Sequence, residues 1–196
     1  ILYISTLNII IDDITIILDK GIDLKETLEI PNGKNITLDL DRNTLTGPEE
    51  PENAFAIQFG EIGAEKECVN NGRLVIKNGT IECYRAVSNY YGEVEFGDDL
   101  TVNASDRIMT AFGGKTTVDG AKLNSENHGL ILFNSYYAFD DAEHNSKDKA
   151  NASAKLIFNS GSVKAEDYAI SGNNLRSAGT EVTINDGKVI AETGTA

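Results

Sequence analysis

The stretch Val182-Thr183-Ile184-Asn185-Asp186-Gly187-Lys188-Val189-Ile190-Ala191 decides the fold of this protein. Two short runs of alternating apolar and polar residues flank a glycine that follows Asn and Asp. Alternation with a period of two is typical of a β-strand with one buried face. A glycine preceded by Asn or Asp supplies the positive φ that a sharp bend requires. The stretch therefore predicts two short strands that meet at a tight corner.

The same pattern recurs along the chain. A β-rich run ends at each of five glycines, namely Gly79, Gly97, Gly120, Gly161 and Gly187. A second run follows four of them, and a third run comes after a short gap, most clearly at Arg85–Ser88, Gly129–Phe133 and Tyr168–Ser171. The glycines are 18, 23, 41 and 26 residues apart, and the step of 41 becomes ordinary once a polar insertion, residues 137–153, is removed. The chain is therefore predicted to repeat a unit of three short strands.

Alignment of the units on their glycines predicts which residues become neighbours. One unit cannot bury its own apolar face, so the units must stack and pair their backbones. The alignment predicts one interior column, made of Ile76, Phe96, Val118, Phe158 and Ile184. It also brings together two polar columns, one of Lys77, Asp119, Asn159 and Asn185 and one of Glu82, Asn124, Lys164 and Ile190. Neither polar column repeats an acid, whereas a glycosidase needs paired carboxylates.

The segment from Leu28 to Gly47 carries a family resemblance. It contains a short apolar strand, the turn Pro31-Asn32-Gly33-Lys34-Asn35 and the strand Ile36-Thr37-Leu38-Asp39-Leu40. This order resembles the opening of right-handed parallel β-helices of the pectate-lyase-like superfamily, which occur in phage fibres and spikes and in bacterial surface proteins. The resemblance implies an all-β fold, a right-handed single-stranded parallel β-helix (β-solenoid) with three short strands per turn. We expect one such domain over residues 1–196, a fragment of a longer chain, with residues 137–153 as a corner-loop insertion.

Composition excludes several classes of function. The formal net charge of −14 and the isoelectric point near 4.5 oppose binding to a phosphate backbone, so nucleic acid is not an expected partner. A hydrophobic content of 40% fits a folded chain. The longest uncharged stretch near the start, Ile1 to Ile11, is far short of the roughly 20 residues of a membrane helix, so membrane insertion is not expected.

The insertion and the two cysteines are candidate sites. Carboxylates lie close together in the insertion, at Asp140, Asp141, Glu143 and Asp148. Oxygen ligands of this kind suit Ca²⁺, although the spacing matches no EF-hand, and a solvated loop is the favoured interpretation. Otherwise no cofactor is expected. Cys68 and Cys83 would close a loop of about 15 residues if they were bonded, but two separate thiols are the favoured interpretation.

Aromatic residues are the candidate ligand contacts. Two tyrosine pairs fall near corners, Tyr90 with Tyr91 and Tyr136 with Tyr137. An exposed ring can stack on a sugar face, while a corner tyrosine can instead cap the apolar interior with its hydroxyl in water. Four phenylalanines on strand positions are expected in the core, namely Phe96, Phe112, Phe133 and Phe158.

The functional expectation rests on the resemblance. It implies a non-enzymatic, elongated module on a virion surface, most simply a phage fibre or decoration protein that acts as a rigid shaft. Its partners would be a host cell-surface glycan or receptor, other virion or surface proteins, and further copies in a homotrimer. One alternative is a segment of a Gram-positive cell-surface adhesin. Another is a polysaccharide depolymerase, either a lyase or a hydrolase, although we assign no catalytic residue from the sequence.

Overall fold

The computed structural model describes residues 13–48, 54–61, 70–134, 153–172 and 179–194. In these ranges the chain forms eighteen β-strands and no helix. A helix capable of crossing a membrane is accordingly not found in the described ranges. Every pairing between two named strands is parallel. The predicted all-β fold is confirmed.

The strands follow one another in seven units. The first two units contain β1 (Ile14–Ile17), β2 (Ile22–Asp23), β3 (Leu28–Ile30), β4 (Asn35–Asp39), β5 (Thr44–Thr46) and β6 (Phe55–Phe59). The next two contain β7 (Arg73–Lys77), β8 (Gly79–Asn89), β9 (Glu93–Phe96) and β10 (Leu100–Ala111). The last three contain β11 (Lys115–Val118), β12 (Lys122–Ser125), β13 (His128–Leu132), β14 (Lys155–Phe158), β15 (Ser162–Ala165), β16 (Tyr168–Gly172), β17 (Glu181–Ile184) and β18 (Lys188–Ala191).

Equivalent strands of successive units pair side by side. The first strands form a seven-stranded sheet in the order β1-β4-β7-β9-β11-β14-β17. The second strands pair in the order β2-β5-β8-β10-β12-β15-β18, and the third in the order β3-β6-β8-β10-β13-β16. Strands β8 and β10 are long enough to act as both second and third strand of their units. The chain therefore advances by one strand spacing, about 4.8 Å, with each unit.

The interior column has the predicted register. Phe96 pairs with Ile76 on one side and with Val118 on the other, and Phe158 pairs with Val118 and Ile184. The first four side chains of this column are fully buried. Ile184 is 52% exposed, because β17 is the edge strand of the first sheet in the described part of the chain. The predicted alignment is confirmed. The burial of a side chain in this column depends on whether a further unit packs against its strand.

Two kinds of corner connect the strands. Gly161, between β14 and β15, has φ of +101°, and a Cβ atom there would lie 2.3 Å from the carbonyl oxygen of Ala121. Asn70 organises another corner, because its Oδ1 accepts hydrogen bonds from the amides of Gly33 and Gly72, both at 2.9 Å. Because both amides donate to this side-chain oxygen, the corner is fixed without leaving a buried polar atom unpaired. The Gly-rich and Asn-rich character of the sequence thus comes from its corners.

Candidate functional site

A long groove lies at the bend between the second and third strands of the units. Its volume is about 850 Å³. It extends from the second unit to the seventh, so five strand spacings give it a length of roughly 24 Å. Three columns of residues form its near wall, floor and far wall. The lining residues are Thr46, Gly47, Pro48, Glu82, Cys83, Tyr84, Asn103, Ala104, Ser105, Asn124, Ser125, Glu126, Lys164, Glu166 and Glu192.

The near wall is a ladder of polar side chains on the outer face of the second strands. Backbone register aligns Thr46, Glu82, Asn103, Asn124 and Lys164 in successive units. The Asn103 amide donates to Glu82 Oε1 at 2.7 Å, and the Asn124 amide donates to Asn103 Oδ1 at 2.9 Å. The predicted neighbours Glu82, Asn124, Lys164 and Ile190 are confirmed. Asn103, which the prediction did not include, lies between Glu82 and Asn124 in this column.

The floor consists of small side chains, and their size makes the surface concave. Cys83, Ala104 and Ser125 occupy equivalent positions and line the groove, while Ala165, the next residue of this column, is fully buried in the core. Gly47 adjoins Cys83, and a Cβ atom on this glycine would lie only 2.7 Å from the Cys83 Cβ atom. Burial, together with the charge of Glu82, raises the pKa of the Cys83 thiol to about 12. The thiol is therefore neutral and unreactive at neutral pH.

The far wall repeats an acid, which the sequence analysis missed. Glu126 follows β12, Glu166 follows β15 and Glu192 follows β18, in equivalent positions. The backbone amide of Glu192 donates to the carbonyl of Ala165, which fixes this register. The predicted neighbours Asn124, Lys164 and Ile190 each lie two residues before one of these glutamates, so the same alignment already implied the acidic column. The repeated pair of a small residue and Glu at the end of the second strand was the available signal.

The charges in the groove are unbalanced. The one cation of its lining, Lys164, is paired with Glu192 at 2.9 Å. Glu82 accepts the hydrogen bond from Asn103. Glu126 and Glu166 are exposed, and their carboxylates have neither an ion-pair nor a hydrogen-bond partner among the described residues. The groove thus presents uncompensated negative charge on its far wall.

Two arginines beside the groove are held by a buried acid. Asp106 is 5% exposed, and its Oδ2 accepts from Arg85 Nε at 2.5 Å and from Arg107 Nε at 2.9 Å. Asn127 donates to its Oδ1 at 3.0 Å. Burial alone would raise the pKa of Asp106, but the hydrogen bonds and charges of the two arginines lower it below its ordinary value. Both guanidinium groups pair with Asp106 and not with the glutamates of the far wall.

Tyr90 and Tyr91, two of the four predicted tyrosine contacts, do not line the groove. Tyr90 stacks on Phe112 with ring centroids 4.7 Å apart, and Phe112 stacks on Phe133 at 5.7 Å. Phe112 and Phe133 are therefore half-buried in an outer ladder, which corrects their expected place in the core. The rings lie nearly parallel, so their inner faces cover one another and are closed to a sugar. Burial raises the pKa of Tyr90.

Tyr91 differs from the exposed ring that was expected. It is only 2% exposed, its φ is +67°, and its ring lies edge-on to the ring of Tyr90 with the two centroids 6.3 Å apart. Tyr136 and Tyr137 lie outside the described residues. Phe96 and Phe158 are fully buried, as predicted.

The other predicted sites also fall outside the described residues. Asp140, Asp141, Glu143 and Asp148 belong to the insertion, and Cys68 is the missing partner of the proposed pair with Cys83. Both hypotheses therefore stay predictions. In the ranges that the structure covers, no group of three or more His, Cys, Asp or Glu side chains is arranged to hold a metal ion.

Comparison with protein-family models, with curated proteins and with solved structures finds no match for the chain.

Proposed function

We propose that the chain is a right-handed single-stranded parallel β-helix of the pectate-lyase-like kind, and that it holds an extended glycan in its groove as a non-enzymatic surface module. The repeated order of three strands and the uniformly parallel pairing support this fold. The groove is the observation that carries the function. A shallow channel of roughly 24 Å, with amides, hydroxyls and carboxylates repeated every 4.8 Å or so, suits a polymer with regularly spaced hydroxyl groups.

The biological setting that we propose is a phage fibre or decoration protein on the virion surface. A rigid scaffold carrying a binding surface would serve as a shaft and would contact host glycans or receptors. Association into a homotrimer and contacts with other virion or surface proteins belong to this proposal. A Gram-positive adhesin segment is the alternative setting, and it would use the same groove.

The groove can be tested with two matched amide ladders. Asn103 and Asn124 line the groove, whereas Asn159 and Asn185 form a ladder at another corner, also with a 2.9 Å amide hydrogen bond. We expect the chain to bind an immobilised capsule or wall polysaccharide in biolayer interferometry. The double variant Asn103→Ala, Asn124→Ala should weaken that binding about tenfold, and Asn159→Ala, Asn185→Ala should not. Equal loss in both variants, or no binding to any polysaccharide of the panel, would contradict the proposal.

The repeated acid of the far wall favours one second candidate, a polysaccharide hydrolase. Equivalent positions in adjacent units are about 4.8 Å apart, close to the roughly 5–5.5 Å between the carboxyl groups of retaining glycosidases. Catalysis also needs one carboxyl group kept protonated by burial or by a neighbouring charge. Glu126 and Glu166 are both exposed, which favours binding over catalysis. Release of new reducing ends that is abolished by Glu126→Gln or Glu166→Gln would instead establish the hydrolase.

A further inference from the structure

We infer that the groove selects an amine-bearing glycan, such as a de-N-acetylated amino-sugar polymer, over neutral and anionic ones. This inference rests on the proposed function, since it concerns the charge of the polymer that the same groove takes. It follows from the charges of the whole lining rather than from a single cluster. Four carboxylates line the groove, at Glu82, Glu126, Glu166 and Glu192, against one ammonium group at Lys164.

Local pairing leaves two of the three far-wall glutamates, Glu126 and Glu166, without a counter-charge among the described residues. Lys164 is 2.9 Å from Glu192, and side-chain exposures of 46% and 52% leave this pair in water. Arg85 is tied to Asp106 and its guanidinium lies 5.4 Å from the centroid of the Tyr84 ring. Glu126 and Glu166 are the two groove carboxylates that form no hydrogen bond or ion pair with a described side chain.

Repulsion decides against acidic polymers. A polyuronate would place a row of carboxylates along this wall, on a protein whose formal net charge is already −14. Like charges directly opposite one another in a repeated array are unfavourable, and long-range repulsion slows their encounter. A polymer with one amine on each sugar would instead offer ammonium groups along its length. Those groups can pair with Glu126 and Glu166 in neighbouring units.

A basic peptide carries the same charge, but the groove walls favour a glycan. Peptides that bind along a β-structure commonly add a strand to an exposed sheet edge. The groove strands β5, β8, β10, β12 and β15 are instead paired on both sides, and only β18, at the end of the groove, is an edge strand in the described part of the chain. What they present to the groove is the side-chain amides of Asn103 and Asn124 and the hydroxyl of Ser105. Such groups match sugar hydroxyls.

The test compares four hexamers at low salt, at a pH at which sugar amines are protonated. The probes are chitohexaose, its fully de-N-acetylated form, hexagalacturonate and hexalysine, and binding is measured by calorimetry. We expect the de-N-acetylated sugar to bind about tenfold more tightly than chitohexaose, and hexagalacturonate to bind most weakly. The advantage should shrink at high salt, because screening weakens pairs between exposed charges.

Two double variants separate specific pairing from general attraction. Glu126→Gln, Glu166→Gln should remove the advantage of the amine-bearing sugar over chitohexaose. Glu26→Gln, Glu29→Gln changes the net charge equally, at exposed positions outside the groove, and should keep the advantage.

Each other result has a defined meaning. If chitohexaose binds and the de-N-acetylated sugar binds no more tightly, the inference is wrong while the proposed function stands. The same holds if both double variants lose the advantage equally. If hexalysine binds and no sugar does, the groove is a peptide site and both proposals are wrong. Absence of binding to all four hexamers contradicts the inference as well, and the polysaccharide panel then decides the proposed function separately.

Discussion

Ile76 and Ile184 are the same residue type in the same interior column, and they differ in what packs against them. Ile76 pairs with Leu38 and Phe96 and is fully buried. Ile184 pairs with Phe158 alone and is 52% exposed. The contribution of a side chain to the stability of the fold therefore depends on the unit in which it lies as much as on its residue type.

This pair gives a matched test of the register. Ile76→Ala removes buried methyl and methylene groups and leaves a cavity, so we expect it to lower the free energy of unfolding by about 2–5 kcal/mol. Ile184→Ala should cost under about 1 kcal/mol, because an exposed side chain loses little. Equilibrium unfolding in urea measures both values. Similar losses in the two variants would contradict the assigned column.

The pKa of Asp106 makes part of the stability dependent on pH. It is lowered in the folded state, so its contribution is complete above about pH 4, the ordinary pKa, and is lost as the pH falls through the folded value. We expect Asp106→Asn to cost about 1.5–3 kcal/mol at neutral pH, as for hydrogen bonds to charged groups, and progressively less below about pH 4. Urea unfolding across this pH range measures the difference.

Asp167 provides the control, because it occupies the equivalent position two units later and has no ion pair in the described part of the chain. Asp167→Asn should change stability little at either pH. A cost of Asp106→Asn that does not vary with pH would show that the carboxylate acts through its shape and not its charge.

At the scale of the element, the corners decide where strands end. Gly161 lets β14 turn into β15 with its backbone against Ala121 of the preceding unit. Gly33, between β3 and β4, also has a positive φ, of +74°, but a Cβ atom there would have no neighbour within 4 Å. The two glycines both have a positive φ, but they differ in the space around the Cβ position.

Substitution by alanine at these two corners distinguishes the strain of a positive φ from a steric collision of the new Cβ atom. Gly33→Ala should cost about 1–2 kcal/mol, the usual price of a left-handed L-residue. Gly161→Ala adds a contact of 2.3 Å with a backbone oxygen, which cannot move aside as a side chain would. We expect a loss of roughly 3 kcal/mol or more, at or above the upper end of the usual range for one substitution. Thermal unfolding followed by circular dichroism measures both, and equal shifts would contradict the close approach at Gly161.

At the scale of the molecule, stability is shared between neighbouring units. Each interior unit pairs with the one before it and the one after it, whereas edge strands of the described part of the chain, such as β1 and β2 at one end and β17 and β18 at the other, pair on one side. The inward-facing side chains of β17 are correspondingly exposed, at 46% for Val182 and 52% for Ile184. In an array of this kind local opening begins where interfaces are fewest.

Hydrogen exchange should follow this order. Amides in residues 14–23 and 181–191, at the two ends of the described array, should exchange faster than those in 79–111, because β8 and β10 are paired on both sides along their length. Exchange followed by mass spectrometry on peptides from each unit measures the gradient. Uniform protection across the units would contradict additive stacking.

The sequence by itself determined the strands, the corners and the alignment of the units. Those features depend on local rules, since alternation specifies a buried face and glycine permits a positive φ. The interior column of Ile76, Phe96, Val118, Phe158 and Ile184 could be predicted for this reason, and so could the neighbours Glu82, Asn124 and Lys164.

Only the tertiary structure decided the groove and its charge. The groove exists because small residues meet at a bend shared by several units, and no single stretch of sequence contains that bend. The acidic column lies two residues beyond the predicted neighbours Asn124 and Lys164, but only the fold shows that it faces the same groove. Tyr90 and Tyr91 are adjacent in the chain, yet Tyr90 stacks on Phe112 whereas Tyr91, with its positive φ, is almost fully buried with its ring edge-on to Tyr90. Such outcomes depend on how units pack together, which periodicity along one strand does not specify.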